Sequence, residues 1–341
     1  MIKEAIGKVV SGMDLDEKEM VGAMNEIMTG ETTPSQIGAF ITALRMKGET
    51  IDEITGAAKV MREKATRITA SSADGILVDT CGTGGDASGT FNVSTTAAFV
   101  VAGAGVTVAK HGNRSITSNC GSADVLEALG VDLELSPEKV GQCISEVGIG
   151  FMFAPVLHGA MKYAIGPRRE IGIRTIFNVL GPLTNPAGAN VQVMGVFDPD
   201  LTEKLANVLG KLGAGRALVV CGAGNMDEMT VTGDTRVSEY ADGRVTTYIV
   251  KPSDVGMQEA SLDDIRGADT ADGSAEQLRS VLKGDAGPKL DMALLNAGAA
   301  LMAAGKAEDL SGGVAVAREA VQSGAAMAKL ESLIAFCKGS R

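Results

Sequence analysis

Apolar residues recur at three- and four-residue spacing from Met1 to about Arg67, which predicts helices throughout that stretch. Start and stop signals divide it. Thr33-Pro34 reads as an N-cap with proline in the first turn, Thr50 stands ahead of IDEITGAAKVM and its early acidic residues, and Gly30 and Gly48 end two helices. After the polar stretch TASSADG the period changes. ILVDT and VTVAK are short β-branched runs that each end in a polar or glycine-rich loop, with helix-like STTAAFVVAGAG between them. This βαβ alternation predicts a parallel sheet. GIGFMFA, VQVMGVF and RALVVCG are further strands, interleaved with the helices PEKVGQCISEVG, started by Ser136-Pro137, and DLTEKLANVLGKLG. Residues 230–250 read as a hairpin around Ala241-Asp242-Gly243, and 289–335 as packed alanine-rich helices. The expected fold class is α/β: a small all-helical N-terminal domain plus a larger α/β domain with a mainly parallel central sheet flanked by helices.

Composition narrows the partners. A chain of 341 residues exceeds what one core usually serves, and 45% hydrophobic with 21% charged residues is an ordinary globular balance. Aromatic residues are only 3% with no Trp, so the core is aliphatic and base stacking is unsupported. The net charge of -11 repels polyanions and argues against nucleic acid or an anionic membrane surface, while a small anion can still bind locally. Cys81, Cys120, Cys143, Cys221 and Cys337 are odd in number and lack zinc-site spacing, which fits the reduced thiols of a cytoplasmic protein. MIKEAIGKVV has no apolar signal core, and no stretch reaches the roughly 18 apolar residues of a spanning helix.

Candidate chemistry gathers where the strands end, the place at which open α/β sheets bind ligands. In DTCGTGGD, Gly82, Gly84 and Gly85 free the backbone to turn N–H groups toward an anion, and Asp79 and Asp86 can engage hydroxyls or a metal. Asn92, Ser94 and Thr95 follow at a helix start, where side-chain donors and unpaired N–H groups suit phosphate. The same residues also read as a tight turn before a capped helix. After the second strand, KHGNRSITSNCGSADVLEALG brings together Lys110, His111, Asn113, Arg114 and several hydroxyls. Lys110 and Arg114 would neutralise phosphate, Asn113 would orient a neutral group, and Ser122 would cap the helix or touch a leaving group; the alternative is a basic surface loop. His111 and His158 are the two histidines, read as pocket residues rather than catalysts. Arg168 and Arg169 stand about 100° apart on a helix, so one of them faces a substrate carboxylate or both lie on an exposed turn. Asp227-Glu228 are adjacent carboxylates whose repulsion a divalent cation would reverse, unless they are solvated surface charge.

Taken in order, DTCGTGGD, NVSTT, KHGNRS followed by GSADVLEALG, GPRRE, NVLGPLTNP and Asp227-Glu228 resemble the anthranilate phosphoribosyltransferases of tryptophan synthesis. The resemblance implies a cytoplasmic homodimer that transfers the 5-phosphoribosyl group from phosphoribosyl pyrophosphate to the amine of anthranilate, releasing pyrophosphate, with Mg²⁺ as cofactor. It implies a helical domain of residues 1–72, joined by a returning segment near 168–190, and an α/β domain of 73–167 and 191–341. By matching position, Gly82, Gly85, Asp86, Thr90, Asn92, Val93, Ser94, Thr95, Lys110, Ser118 and Ser122 would hold phosphoribosyl pyrophosphate. Ser94, Asp227 and Glu228 would hold the metal. Asn113 and Arg168 would meet anthranilate, with Gly82, His111, His158 and Gly181 shaping its pocket. No acid or base is assigned, because an aromatic amine is already unprotonated at neutral pH and the chief demand is charge stabilisation. The sequence SITSNCGSAD departs from the family, which usually has small residues and a Lys or Ser where Asn119-Cys120 stand. Alternatives are a pyrimidine nucleoside phosphorylase of the same fold, which needs no Asp-Glu pair, and a non-catalytic nucleic-acid-binding relative, which the acidic charge opposes.

Overall fold

The computed structural model describes residues 1–115 and 120–339, so Ser118 lies outside the described residues. Four helices open the chain: α1 (Ile2–Val10), α2 (Glu17–Thr29), α3 (Pro34–Lys47) and α4 (Ile51–Lys64). Their ends are fixed locally. Asp16 with Glu19, Thr33 with Gln36 and Thr50 with Glu53 close reciprocal capping boxes, each satisfying two N–H groups that a helix start leaves unpaired. Gly30 ends α2 in the left-handed region at φ 81°, a conformation costly for any residue with a β-carbon. The apolar faces then close on one another, with Met20, Met24, Ile27, Phe40, Ile41 and Leu44 fully buried.

The rest alternates strand and helix. β1 (Leu77–Gly82), α5 (Val93–Gly103), β2 (Thr107–Gly112), α6 (Ser122–Ala128), α7 (Pro137–Val147) and β3 (Ile149–Phe153) run in that order. Three helices follow, α8 (Ala154–Leu157), α9 (Lys162–Ile171) and α10 (Phe177–Leu180), before β4 (Val191–Gly195), α11 (Leu201–Lys211) and β5 (Arg216–Gly222). The hairpin β6 (Thr235–Ala241) and β7 (Arg244–Val250) leads to α12 (Ala271–Lys283), α13 (Pro288–Ala303), α14 (Leu310–Gln322) and α15 (Ala325–Gly339). Through α9 the chain returns to the opening helices: the Tyr163 ring packs beside Gly30 and Ile171 beside Gly38.

All seven strands form one sheet in the order β3-β2-β1-β4-β5-β6-β7. β1 to β5 pair in parallel and the β6–β7 hairpin adds an antiparallel edge. Both faces are covered, so the inner strands are buried at nearly every position. Val78, Val108, Val193, Leu218 and Val220 pack beneath α5 and the C-terminal helices, while Cys81, Met194, Ala217 and Val219 share a core with the opening helices and α11. Chain order reverses at β1, since β2 and β3 step to one side and β4 and β5 to the other. The crevice beyond the carboxyl ends of β1 and β4 is therefore the topological switch point, where this architecture binds ligands.

Candidate active site

Three strand ends meet at that crevice. β1 stops at Gly82, paired with Gly195 at the end of β4, and the turn after β5 brings Asp227 and Glu228 alongside. The approach is close: a β-carbon on Gly82 would stand 3.0 Å from the Asp227 Cγ. The Gly84 N–H donates to Asp227 Oδ2 at 2.6 Å, and the Ser94 N–H at the start of α5 donates to Glu228 Oε1 at 3.2 Å. The glycine loop and the helix N-terminus thus already present N–H groups to anions, here the protein's own carboxylates. Asp86 joins them, accepting from the Asp227 N–H at 3.3 Å.

These acids repel one another in a site that water only partly reaches. Burial first, then the Asp86 charge, pushes the Asp227 carboxyl up to about 7. Burial and the neighbouring Asp227 push Glu228 well above the usual carboxylate range, with Lys110 opposing. Lys110 itself is buried under the start of α5, its Nζ donating to the Thr80 carbonyl at 2.6 Å and lying 3.4 Å from Ser94 Oγ. A hard divalent cation would relieve the repulsion, and the donors fit it: two carboxylates and the Ser94 hydroxyl, all oxygen. Among the described residues no three His, Cys, Asp or Glu side chains converge as a closed metal cage. Mg²⁺ is generally held by one or two carboxylates and keeps positions for water and substrate phosphate oxygens.

The remaining residues expected to hold phosphate are arranged unequally. Thr90 bridges Arg266 across the backbone, and its hydroxyl lies 3.4 Å from Ser88 Oγ. Asn92 sits at the N-cap of α5 but donates its Nδ2 to the Cys120 carbonyl at 3.1 Å, tying the loop after β2 to this helix. Val93 and Thr95 are buried. Val93 gives its side chain to the core and its N–H to the Phe91 carbonyl at 2.7 Å, so it offers a ligand neither, a consequence of its place on the inner face of the first turn. Ser122 opens α6 without capping it: its Oγ donates to the Asn113 carbonyl at 3.2 Å, and Asp124 takes the Gly121 N–H instead. Arg114 is occupied, pairing with Asp124 at 2.9 Å and Glu127 at 2.8 Å, so its guanidinium serves α6 rather than a phosphate.

The residues expected on the acceptor side are the two histidines, Arg168 on α9, Asn113 and Gly181. His111 and His158 bring their Nε2 atoms to 3.2 Å with ring centroids 5.0 Å apart, so one must donate and the other accept. Burial drives both toward the neutral form, His111 down to about 3, aided by His158, and His158 down to about 4. The Gly181 backbone hydrogen-bonds the His111 ring. Arg168 is half-buried with its guanidinium 5.0 Å from the Phe177 ring centroid, and none of the ion pairs among the described residues engages it; Arg169 points to solvent. A half-buried, unpaired guanidinium beside a neutral pocket is the fit for a planar carboxylate. Asn113 turns its Oδ1 to the Arg114 N–H at 2.8 Å.

Two side chains here went unseen in the sequence. Asn185, within the NVLGPLTNP motif, donates to Asp79 Oδ2 at 2.8 Å and to the Ala109 carbonyl at 2.9 Å, and Asp79 also accepts from the His111 N–H at 3.2 Å. That buried network locks β1 to β2. Arg174, the first arginine after GPRRE, reaches the Gly85 carbonyl.

The family description "Glycosyl transferase family, helical bundle domain" matches residues 3–65, and "Glycosyl transferase family, a/b domain" matches residues 74–327. The anthranilate phosphoribosyltransferase of Desulfotalea psychrophila is 61% identical over 98% of this chain and 97% of its own length. The crystal structure of the Thermus thermophilus anthranilate phosphoribosyltransferase superposes with a TM-score of 0.93 at 45% identity, covering 98% of this chain and 99% of that one. The Saccharomyces cerevisiae enzyme solved in complex with PRPP and Mg superposes with a TM-score of 0.89 at 27% identity, covering 99% and 98%.

Proposed function

The chain belongs to the anthranilate phosphoribosyltransferase family, and from that membership we propose that it transfers the 5-phosphoribosyl group of phosphoribosyl pyrophosphate to the amine of anthranilate, releasing pyrophosphate. The observation that carries this reading is the crevice itself, where loop and helix N–H groups face mutually repelling carboxylates at the strand ends. Asp227, Glu228 and Ser94 would hold Mg²⁺, which when bound supplies charge neutralisation for the diphosphate leaving group. The Gly82–Asp86 loop, Thr90, Asn92, Ser94 and Thr95 at the start of α5, and Lys110 hold the donor. Lys110 contributes buried positive charge beneath it.

Arg168 takes the anthranilate carboxylate, while Asn113, Gly82, Gly181 and the neutral His111–His158 pair shape the space around its ring. The work of these residues is to orient the amine at the anomeric carbon and to stabilise charge leaving with pyrophosphate. Neither histidine accepts a proton near neutral pH, so the pocket leaves the amine free to attack.

We assign residues 1–72, with the returning segment near 168–190, to a helical domain and 73–167 with 191–341 to the α/β domain. The packing of α9 against α2 and α3 supports this division. The functional unit is a homodimer, supported by the exposed apolar side chains of Val10 and Met46 on the opening helices and of Met13 between α1 and α2. It works in the cytoplasm, consistent with five unbridged cysteines; no helix among the described residues is long and apolar enough to cross a membrane. Mixing the protein with anthranilate, phosphoribosyl pyrophosphate and Mg²⁺ should quench anthranilate fluorescence as product forms. Persistence of that fluorescence, with thymidine and phosphate converted instead, would place the chain among the phosphorylases.

A further inference from the structure

Arg174 has no part in the scheme above, yet it joins the two walls of the crevice. It follows α9, beyond Gly172, which ends that helix in the left-handed region at φ 67°. Its guanidinium lies over the Phe197 ring, 4.2 Å from the centroid, and its Nη2 donates to the Gly85 carbonyl. A β-carbon on Gly85 would stand 3.4 Å from Nη2 and 3.6 Å from Nε, so the guanidinium lies against the loop backbone. None of the ion pairs among the described residues involves Arg174. One residue earlier in the loop, Asp227 holds the Gly84 N–H from the other side. Neighbouring residues of the glycine loop are therefore held by two different segments of the chain, Gly84 by Asp227 and Gly85 by Arg174.

The loop needs that grip. Gly84 and Gly85 have φ of 68° and 77°, positions that glycine enters freely and also leaves freely. Arg168, in the last turn of α9, and Arg174, just past its end, are six positions apart on one short segment, and each is stacked on a ring, Phe177 or Phe197. We propose that Arg174 is a positioning residue that couples the acceptor wall to the glycine loop, so that a carboxylate on Arg168 favours the loop geometry that receives the diphosphate. Reciprocity then requires donor and acceptor to tighten each other's binding. The stacked, forked geometry is specific to arginine, and a lysine would keep the charge without the plane.

The proposal rests on the donor and acceptor assignments above, and one calorimetric experiment separates the two. Phosphoribosyl pyrophosphate with Mg²⁺ is titrated into wild type, Arg174→Ala, Arg174→Lys and, as a control on the exposed face of α9, Arg169→Ala, with and without saturating salicylate, which has the carboxylate but no amine to react. Arg174 is exposed, so these variants should fold, and circular dichroism checks that they do. Wild type and Arg169→Ala should bind the donor roughly fivefold or more tightly with salicylate present, a coupling that both Arg174 variants lose. In turnover, the Arg174 variants should raise the KM for phosphoribosyl pyrophosphate far more than they lower kcat. No donor binding by wild type would overturn the assigned function. Donor binding without coupling in wild type, equal coupling in Arg174→Ala, or full rescue by Arg174→Lys would each overturn the role of Arg174 and leave the function standing.

Discussion

Two glutamates withdrawn from water behave oppositely. Glu53, fully buried among the opening helices, accepts from the Leu15 N–H at 2.9 Å and the Thr50 N–H at 2.8 Å and pairs with Lys47 at 2.9 Å. Glu228, at the strand ends, accepts from the Ser94 N–H and faces Asp227 and Asp86, which together with burial drive its carboxyl up. The first acid is completed by its own fold. The second is left for something else to complete, and the energetic cost of that arrangement marks a functional place in the structure.

The sharpest way to break this contrast is to remove the incomplete acids. Asp227→Asn with Glu228→Gln should lower turnover about 100-fold or more at limiting magnesium and raise the magnesium requirement. The melting temperature should hold or rise, because a buried repulsion is gone. Unchanged magnesium dependence in steady-state kinetics would strike out the metal assignment.

Glu53→Gln should do the reverse. Urea denaturation should show a loss of about 3 kcal/mol, the scale of breaking a buried pair, with kcat per folded molecule unchanged. A parallel loss of kcat would mean that the helical region and the site are not separable in this way.

The histidine pair gives a smaller, pH-dependent effect. With native values near 3 and 4 against 6.5 unfolded, both states are neutral above pH 6.5 and neither ring affects stability there. Below it the unfolded chain takes up protons that the native rings refuse, so stability falls as pH drops toward 4, by about 2 kcal/mol or more. Gln at both positions should flatten that part of a pH series of denaturation curves; an unaltered slope would mean the rings are not held neutral. Smallest of all, Arg168→Ala should raise the KM for anthranilate roughly tenfold, the worth of one charged hydrogen bond. If only the KM for phosphoribosyl pyrophosphate moved, Arg168 would belong to the donor side.

Much of the architecture was legible because its causes are local. Thr33, Thr50 and Ser136 cap helices from three residues away, and the apolar period of each strand follows from burial on both faces. The motifs also marked loops that the fold gathers at the strand ends, but not what each side chain does there. Arg114 looked free beside Lys110, yet α6 folds Asp124 and Glu127 back onto it, and Val93 stands within a phosphate motif while pointing into the core. Asn185 stands inside the NVLGPLTNP motif with no role legible there, and Arg174 carried no signal, since it neither repeats at a structural period nor sits at a strand end.

By itself, then, the sequence determined the segments, their caps, the parallel strands and the loops able to meet an anion, since each depends on neighbours within a few residues. Only the tertiary structure decided which charges are answered. The bonds that define the crevice join Gly84 to Asp227 across 143 residues and Ser94 to Glu228 across 134, and no local pattern can report whether an acid so placed finds a partner.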